Sequence, residues 1–378
     1  MISKDVEFKD EIRNILNSLE NNSLIENTFR DLTLRKVFIY GAGNMGRLAY
    51  KQLQDMGVDI EAFLDRRGGT DVNYMNKPVY KADCNEISDV LKDNSLVIIA
   101  FICGNKEYGE MQKWLGSLSF HNTCHYFILS NLVMSDKFIK TNNPVNIKDD
   151  ILRVCNFFKD EESKGVYRNF IKAVLTADSD VFSKACDEPQ YFVNDVTFKK
   201  GYSRFVDCGA FDGDTASALM NYKGKAEAIA LFEPEKENFG KLSMNMRKDP
   251  VAREQILYPC GVWDRTEMLS FRSGIKTSSG ISQDGDTFIQ CVSLDDAIAD
   301  FAPTFIKMDI EGAEFEALLG AETIIRKYKP DLAISVYHNF EHIWKIPILI
   351  ESFVPEYEFS LRCHGLFGAE TILYATCN

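Results

Sequence analysis

The sequence lacks a long hydrophobic run. Its longest apolar stretch, residues 96–103, has eight residues, whereas a helix that spans a membrane needs about 20. The N-terminal residues MISKDVEFKDEIRNIL contain several acidic side chains and no apolar core of the kind that a secretory signal peptide requires. The sequence therefore predicts neither a membrane-spanning segment nor export.

The ten cysteines include no C-x-x-C pair. They are scattered along the chain, and several, such as Cys103 and Cys208, lie in apolar runs where cysteine behaves as a small core residue. This pattern is typical neither of a disulfide-stabilised secreted protein nor of a thiolate zinc site. We expect a reducing compartment, and the cytoplasm is the natural location.

Basic residues are in the minority: 43 Lys and Arg stand against 56 Asp and Glu, which gives a formal net charge of −13. Such a surface repels phosphate backbones and anionic lipid, so nucleic-acid binding and membrane attachment are disfavoured, and a small or neutral acceptor is favoured. The 378 residues, 45% of them apolar, predict a folded chain of two or three domains. The oligomeric state is not indicated.

An apolar strand that runs into a glycine-rich turn and a helix occurs twice, at residues 37–46 (VFIYGAGNMG) and 205–215 (FVDCGAFDGDT). Each instance begins a series of alternating strand and helix patterns. The sequence therefore predicts an α/β fold with two Rossmann-like domains built on parallel sheets. We expect the first domain at residues 1–142, a helical lead-in at 143–200 and the second domain at 201–378, with Asn142-Asn143-Pro144 as the first boundary.

The last two predicted strands, residues 357–363 and 370–376, are joined by a short loop and must therefore pair antiparallel. A doubly wound sheet that ends in an antiparallel hairpin is the pattern of class I methyltransferases that use S-adenosylmethionine. The second domain is predicted to have this architecture.

The second glycine-rich turn carries Asp207, Asp212 and Asp214 beside Gly209 and Gly213. Glycines let a ligand approach the backbone, and a helix N-terminus offers amide donors. The three carboxylates would repel the pyrophosphate of a dinucleotide, whereas a cofactor with an amino group and a sulfonium suits them. The turn thus favours S-adenosylmethionine as the cofactor.

A second acid supports this cofactor. Glu233 ends the next predicted strand, 20 residues after Gly213. A carboxylate at this position can accept hydrogen bonds from both ribose hydroxyls of a nucleoside. We expect Glu233 to bind the ribose.

Five motifs resemble those of the FkbM-type methyltransferases: residues 206–210 (VDCGA) with 213–215 (GDT), 232–234 (FEP) with Asn238, 292–296 (VSLDD), 305–314 (FIKMDIEGAE) and 335–338 (SVYH). The resemblance covers about residues 190–378. It implies S-adenosylmethionine-dependent methyl transfer, commonly to an oxygen of a sugar or another natural-product hydroxyl, and it adds Thr215 and Asn238 to the cofactor-binding residues. Phe211 departs from the generic class I pattern, in which a glycine often stands at this place.

The candidate catalytic residues are Asp309, Glu311 and His338, which follow two predicted parallel strands at the edge where open α/β sheets bind ligands. Methyl transfer needs alignment and help in removing the acceptor's proton. We expect His338 to act as base or orienting group and Asp309 to position the acceptor hydroxyl. Alternatively, Asp309 holds magnesium, as a similarly placed acid does in catechol-type O-methyltransferases. Glu314 and Glu316 are expected to be solvated or to serve the helix N-terminus.

Residues 338–342, HNFEH, also fit the inverted zinc-protease pattern H-x-x-E-H, which needs both histidines on one helix face. Because a strand runs directly into His338, the helix is expected to start after it. The two histidines would then not share a face, and His342 would be an ordinary helix residue.

The first domain contains Gly41-x-Gly43-x-x-Gly46, followed by Asp65 where a dinucleotide fold places its ribose-binding acid. Only about half of such a fold follows before residue 140. A nucleotide or sugar-nucleotide site and a scaffold that has lost its site are both left open. The alternatives to a methyltransferase of a carbohydrate or small-molecule hydroxyl are therefore a nucleotide-binding oxidoreductase and a non-catalytic sugar-nucleotide-binding protein. Acceptor specificity is expected in the Ser/Gly-rich loop 273–287, and the helical segment 147–176 is a second candidate for it.

Overall fold

The computed structural model describes residues 4–18, 32, 34–69, 71–101, 103–141, 144–176, 178–272, 280–281 and 287–378. Most of the loop 273–287, where we expected acceptor specificity, lies outside these ranges. Within the described ranges, no helix is both long enough and apolar enough to cross a membrane.

The described strands form sheets of six, four and seven strands. They are β1 (Lys36–Tyr40), β2 (Ile60–Leu64), β3 (Asn73–Tyr74), β4 (Lys77–Tyr80), β5 (Ser95–Ile99), β6 (Asn122–His125), β7 (Arg204–Cys208), β8 (Ala226–Phe232), β9 (Ala252–Tyr258), β10 (Gly261–Val262), β11 (Glu267–Arg272), β12 (Gly280–Ile281), β13 (Thr287–Val292), β14 (Phe305–Met308), β15 (Asp331–Ser335), β16 (Glu358–Cys363) and β17 (Thr371–Thr376). The helices are α1 (Lys4–Ser18), α2 (Asn44–Asp55), α3 (Asp89–Asp93), α4 (Asn105–Ser117), α5 (Tyr126–Thr141), α6 (Pro144–Val154), α7 (Glu161–Thr176), α8 (Asp214–Lys223), α9 (Lys236–Lys248), α10 (Leu294–Ala297), α11 (Glu314–Leu319), α12 (Glu322–Tyr328) and α13 (His342–Phe353).

The six-stranded sheet has the order β3-β4-β2-β1-β5-β6 and is parallel except for the β3–β4 pair. Its central strands are almost entirely apolar, and separate hydrophobic clusters cover the two faces, as expected for a parallel sheet that is buried on both sides. Strand β6 ends at His125, and α5 begins directly after it at Tyr126.

The seven-stranded sheet has the order β16-β17-β15-β14-β7-β8-β9. Strands β7, β8, β9, β14 and β15 are mutually parallel, whereas β17 pairs antiparallel with both β15 and β16. The predicted terminal hairpin on a parallel sheet is thus confirmed, and so is the α/β fold class. The carboxyl ends of β7, β14 and β15 lie side by side and position the site described below.

The first helix does not belong with the first sheet, although the sequence analysis grouped residues 1–142. Phe8 and Ile12 of α1 are buried in the same core as α6, α7 and the seven-stranded sheet. The ring of Phe8 lies 6.5 Å from that of Tyr167 on α7. The physical reason is that Phe8 and Ile12, spaced i and i+4, form one apolar helix stripe that needs a partner surface. The two predicted lead-in helices α6 and α7 supply that surface.

The two α/β halves meet through α5 and the loop between β16 and β17. Asn131 on α5 donates a hydrogen bond from Nδ2 to the backbone oxygen of Phe367 at 3.0 Å. The ring of Phe367 lies 5.5 Å from Tyr108 and 5.6 Å from His125 of the first half. This contact brings α5 over the carboxyl ends of the second sheet.

Candidate active site

A cleft of about 930 Å³ lies between α5 and the carboxyl ends of the seven-stranded sheet. Its wall includes residues from both halves of the chain, among them Met45 at the start of α2. Seven of the residues predicted from the sequence line it: Gly209, Asp212, Asp214, Thr215, Asp309, Glu311 and His338.

The glycine-rich turn after β7 is shaped by three residues with positive φ. Gly209 has φ +84°, and a Cβ atom there would lie 2.0 Å from the backbone oxygen of Asp309. Gly213 has φ +92°, and its Cβ would lie 2.8 Å from Met246. Phe211, where a glycine often stands, has φ +47°, a conformation that costs a non-glycine residue roughly 1–2 kcal/mol. Phe211 therefore adopts the left-handed backbone conformation that a glycine would adopt more easily.

Glu233 is buried directly behind this turn. Its carboxylate accepts hydrogen bonds from the amides of Phe211 (2.9 Å) and Glu235 (2.8 Å). Burial raises the pKa of Glu233 to about 7, although both amides favour the ionised form. Each oxygen keeps a second lone pair, so the carboxylate can still accept ribose hydroxyls. Asn238 is buried nearby and donates to Glu235 at 2.6 Å, which makes it a support of this corner.

Asp207 lies beneath the turn and is not among the residues that line the cleft. It is fully buried, and its Oδ1 lies 2.9 Å from Nζ of Lys307, which also donates to the backbone oxygen of Gly209 at 2.8 Å. Burial raises the pKa of Asp207 to about 6 against the attraction of Lys307. Asp207 and Lys307 thus hold the turn from below. The sequence analysis assigned no role to Lys307. A lysine inside the apolar strand FIKM could have indicated a buried ion pair.

The three candidate catalytic residues come together in the cleft. Asp309 Oδ1 and Glu311 Oε2 each lie 3.6 Å from Nε2 of His338. The other oxygen of Asp309 accepts a hydrogen bond from the hydroxyl of Tyr191 at 2.8 Å. Among the described residues, Nε2 of His338 has no hydrogen-bond partner, although the side chain is only 10% exposed.

Glu314 is the largest departure from expectation, because it is fully buried and not solvated. Its Oε1 accepts hydrogen bonds from His338 Nδ1 (2.9 Å) and from the amides of Ile310 (3.0 Å) and Gly312 (3.3 Å). Nδ1 of His342 lies 3.3 Å from its other oxygen. The carboxylate satisfies the amides of the turn that leads into α11, and this draws it inward. The two histidines of the H-x-x-E-H pattern therefore converge on Glu314, so His342 is more than an ordinary helix residue.

These charges determine which group can accept a proton. Burial disfavours a charge on His338, but Glu314, Glu311 and Asp309 together raise its pKa to about 10. The pKa of Glu314 lies well below its usual range despite burial, because His338 stabilises its charge. Burial, together with Asp309 and Glu314, raises the pKa of Glu311 to about 8 against the attraction of His338. The raised pKa favours the imidazolium form of His338, which suits this residue to orient the carboxylates more than to accept a proton.

Three further cleft residues were missed by sequence reasoning. Oε2 of Glu370 accepts a hydrogen bond from Gln190 at 2.6 Å, and Oε1 accepts one from the hydroxyl of Tyr337 at 3.1 Å. All three side chains line the cleft. They come from separate loops, and no motif marks Gln190 or Glu370.

Backbone strain is concentrated at this cleft. Of the eleven non-glycine residues with positive φ in the described chain, five line the cleft wall: Tyr191, Phe211, Glu311, Phe367 and Glu370. Such conformations cost about 1–3 kcal/mol each and cluster at functional sites. Their concentration here supports the cleft as the candidate functional site.

The predicted turn of the first half is also present. A Cβ at Gly46 would lie 1.9 Å from the backbone oxygen of Gly41, and Gly43 has nothing within 4 Å of its Cβ position. Asp65, the acid expected to bind a ribose, already has hydrogen-bond partners within the protein, however. Asp65 accepts hydrogen bonds from the amide of Ala42 (2.9 Å) and from Nε of Arg67 (2.8 Å), and Arg67 holds the pKa of Asp65 well below its usual range.

The seven-stranded sheet with its terminal antiparallel hairpin has the fold of the class I methyltransferases. More narrowly, residues 207–361 match the family model of the methyltransferase FkbM domain, which identifies this part of the chain as a methyltransferase domain. The family implies S-adenosylmethionine as methyl donor.

The fold of the whole chain resembles a solved one. The crystal structure of methyltransferase FkbM from Methylobacillus flagellatus KT is similar over 98% of this chain and 100% of that chain, with a TM-score of 0.70 and 21% sequence identity. At this identity the likeness shows the fold. No protein of curated function matches the chain.

Proposed function

We propose that this methyltransferase transfers the methyl group of S-adenosylmethionine to a hydroxyl oxygen of a sugar, a glycan precursor or a related small molecule. The observation that carries the proposal is that the acidic turn and the Asp309–Glu311–His338 cluster face one cleft. Its volume of about 930 Å³ lies at the upper end of the roughly 300–1,000 Å³ typical of small-molecule sites, which suits a cofactor together with an acceptor. The ten free cysteines support work in the reducing cytoplasm.

The cofactor is proposed to lie on the turn after β7. Asp212 and Asp214 face the cleft and suit the amino group of the methionyl part, while Glu233 suits the ribose. The bound cofactor supplies an electrophilic methyl group on a sulfonium, which leaves as a neutral thioether. The chain's own contribution is to align the acceptor and to take its proton.

Asp309 is proposed to receive that proton. Tyr191 holds one oxygen of Asp309, so the other is turned toward the cleft. The new oxygen–carbon bond forms as the sulfur–carbon bond breaks, and the hydroxyl proton passes to Asp309 or, where it is ionised, to Glu311. His338, held by Glu314, lies 3.6 Å from Oδ1 of Asp309 and orients this carboxylate.

A magnesium role for Asp309 is a weaker alternative. Ligand atoms of Asp309, Glu314 and His338 lie within 4.8 Å of one another. This donor set does not fit magnesium well, because one group is an imidazole and Glu314 Oε1 already serves three N–H donors. Activity that survives dialysis against EDTA is expected, and activity restored by added Mg²⁺ would reverse this assignment.

Isothermal titration with S-adenosylhomocysteine tests the cofactor, and mass spectrometry of glycan intermediates with and without the protein tests the reaction. We expect binding by the wild-type chain and a product 14 mass units heavier that is absent with Asp309→Asn. Absence of binding would refute the proposed function. Unchanged product formation by Asp309→Asn would refute the role of Asp309 alone.

The turn at Gly41–Gly46 supports a second candidate function, the binding of a nucleotide or a nucleotide sugar by the first half. The observation in its favour is the open space above Gly43. NAD(P)H fluorescence and titration with a uridine diphosphate sugar would test it. Binding that Gly43→Asp abolishes would support the site, and no binding at millimolar ligand would leave the turn as scaffold.

A further inference from the structure

Glu370 is a carboxylate of the cleft to which neither the sequence motifs nor the family match assigns a role. It lies beyond the matched residues 207–361. Its two hydrogen-bond donors, Gln190 and Tyr337, are neutral. In the described part of the chain, no lysine or arginine forms an ion pair with Glu370 or with Glu311. Both carboxylates therefore face the cleft without a lysine or arginine partner.

The cleft wall as a whole carries an excess of negative charge. Its carboxylates are Asp212, Asp214, Asp309, Glu311 and Glu370. Burial raises the pKa of Glu311 and the pKa of Glu370, so a cation bound beside these two groups would favour their ionised forms. Three cationic side chains also line it. Lys241 pairs with Glu237 and Lys307 with Asp207, both outside that set. His338 pairs with Glu314 outside the set and also lies 3.6 Å from Asp309 and from Glu311 within it, so one positive charge is shared among three carboxylates. The proposed cofactor brings a net charge of only +1. Part of the negative charge of the cleft is therefore not compensated by the cofactor, and a cationic group on the acceptor would compensate it.

Nε2 of His338 gives a second and independent indication of a ligand. The side chain is nine-tenths buried, it lines the cleft, and this nitrogen has no hydrogen-bond partner among the described residues. A buried polar atom without a partner is costly. A hydroxyl oxygen placed beside Asp309 would give Nε2 a partner, because the two groups are 3.6 Å apart.

The opposite wall closes the space around such a ligand. Tyr126, Phe127, Ser130 and Asn131 of α5 all line the cleft. The spacing i, i+1, i+4 and i+5 puts them on one helix face. This face combines aromatic surface with hydroxyl and amide groups, which suits a ring that carries both C–H and hydroxyl groups.

We propose that the acceptor is an amino sugar, in which a cationic amino group lies near the methylated hydroxyl, and that Glu370 binds this amino group. The hydroxyl lies between Asp309 and His338, and the ammonium forms charge-assisted hydrogen bonds with Glu370, which are about twice as strong as neutral ones. The inference rests on the proposed methyltransferase function and adds the class of acceptor. It also predicts that phosphorylated sugars and uronates are rejected.

The test uses the full chain saturated with S-adenosylhomocysteine and four probes: the methyl glycosides of glucosamine, N-acetylglucosamine, glucose and glucuronic acid. Ligand-observed NMR at millimolar probe concentration measures each affinity. We expect the glucosaminide to bind about tenfold more tightly than the neutral glycosides, and the glucuronide not to bind. Glu370→Gln should remove this preference without changing the affinity for S-adenosylhomocysteine, and Glu370→Asp should keep most of it. The matched control is Glu254→Gln, which changes an exposed carboxylate of β9.

The wild-type measurement alone can overturn the proposal, whatever the variants do. Equal binding of cationic and neutral probes, or no binding of the cationic probe, contradicts it. So does a titration with MgCl₂ or MnCl₂ in which an ion binds and Glu370→Gln prevents the binding, because the carboxylates would then serve a metal. Loss of S-adenosylhomocysteine binding by the wild-type chain would instead refute the proposed function, so the two failures are distinguishable.

Discussion

Glu314→Gln removes a negative charge that lies 2.9 Å from Nδ1 of His338 and 3.3 Å from Nδ1 of His342. An opposite charge at such a distance typically changes a pKa by about 1–3 units. Burial lowers the pKa of His338, and with Glu314 neutral fewer negative charges oppose this effect. The pKa of His338 should therefore fall from about 10 by that amount. One unit corresponds to about 1.4 kcal/mol, so the imidazolium loses roughly 1–4 kcal/mol of stabilisation.

The measurement is the pH titration of the imidazole ¹³C and ¹H resonances by NMR. The chain has only five histidines, so the spectrum is simple, and His338→Gln identifies the signal. Glu316→Gln is the matched control, because Glu316 lies on the same helix and is half-buried but forms no ion pair with either histidine. A His338 signal that titrates alike in the wild type and in Glu314→Gln would refute the assignment of Glu314 as the charge that holds His338.

Four further outcomes are expected. Gly209→Ala should abolish S-adenosylhomocysteine binding and lower the melting temperature, because the new Cβ would lie 2.0 Å from a backbone oxygen. The control is Gly240→Ala, whose Cβ meets nothing within 4 Å and which should be neutral or stabilise the fold by up to about 1 kcal/mol. Equal effects of the two substitutions would contradict this expectation. Affinity for S-adenosylhomocysteine, measured by titration calorimetry, should rise between about pH 6 and 8. The reason is that Glu233, with a pKa of about 7, ionises in this range and then accepts hydrogen bonds from the ribose hydroxyls. Glu233→Gln should flatten this profile, and an unchanged profile in the variant would show that Glu233 does not bind the ribose. Stability should fall as pH rises from about 5 to 7, because folded Glu233 still binds a proton that the unfolded chain has lost. Lys307→Met should destabilise the fold by about 3–5 kcal/mol in chemical denaturation, because its buried carboxylate partner loses its counter-charge; a loss below about 1 kcal/mol would show that the pair contributes little.

The sequence was sufficient for features that depend on local pattern. The alternation of strand and helix predicted the α/β class, and the short loop before the last strand predicted the antiparallel hairpin. Spacing and strand ends also predicted that the acidic turn and the residues after β14 and β15 would share a cleft, since the carboxyl ends of parallel strands lie at one edge.

Other features depended on contacts between distant segments, and local pattern could not reveal them. Glu314 occupies the first turn of a helix, where an acid is ordinarily solvated, and the need of the turn amides for an acceptor draws it inward. Glu370 meets Gln190 across 180 positions of the chain. The raised pKa of His338 follows from Glu314 at the start of α11 and from Glu311 and Asp309 in the loop after β14, so it could not be inferred from the place of His338 after a strand.

The packing of α1 has a consequence for truncation of the chain. Residues 34–141 lie between α1 and α6 in the sequence, and both of these helices pack in the core around the seven-stranded sheet. The methyltransferase body is therefore assembled from segments on both sides of the first half. A truncated chain that begins after residue 142 would lose the α5 wall of the cleft and also Phe8 and Ile12 from the core of the methyltransferase body.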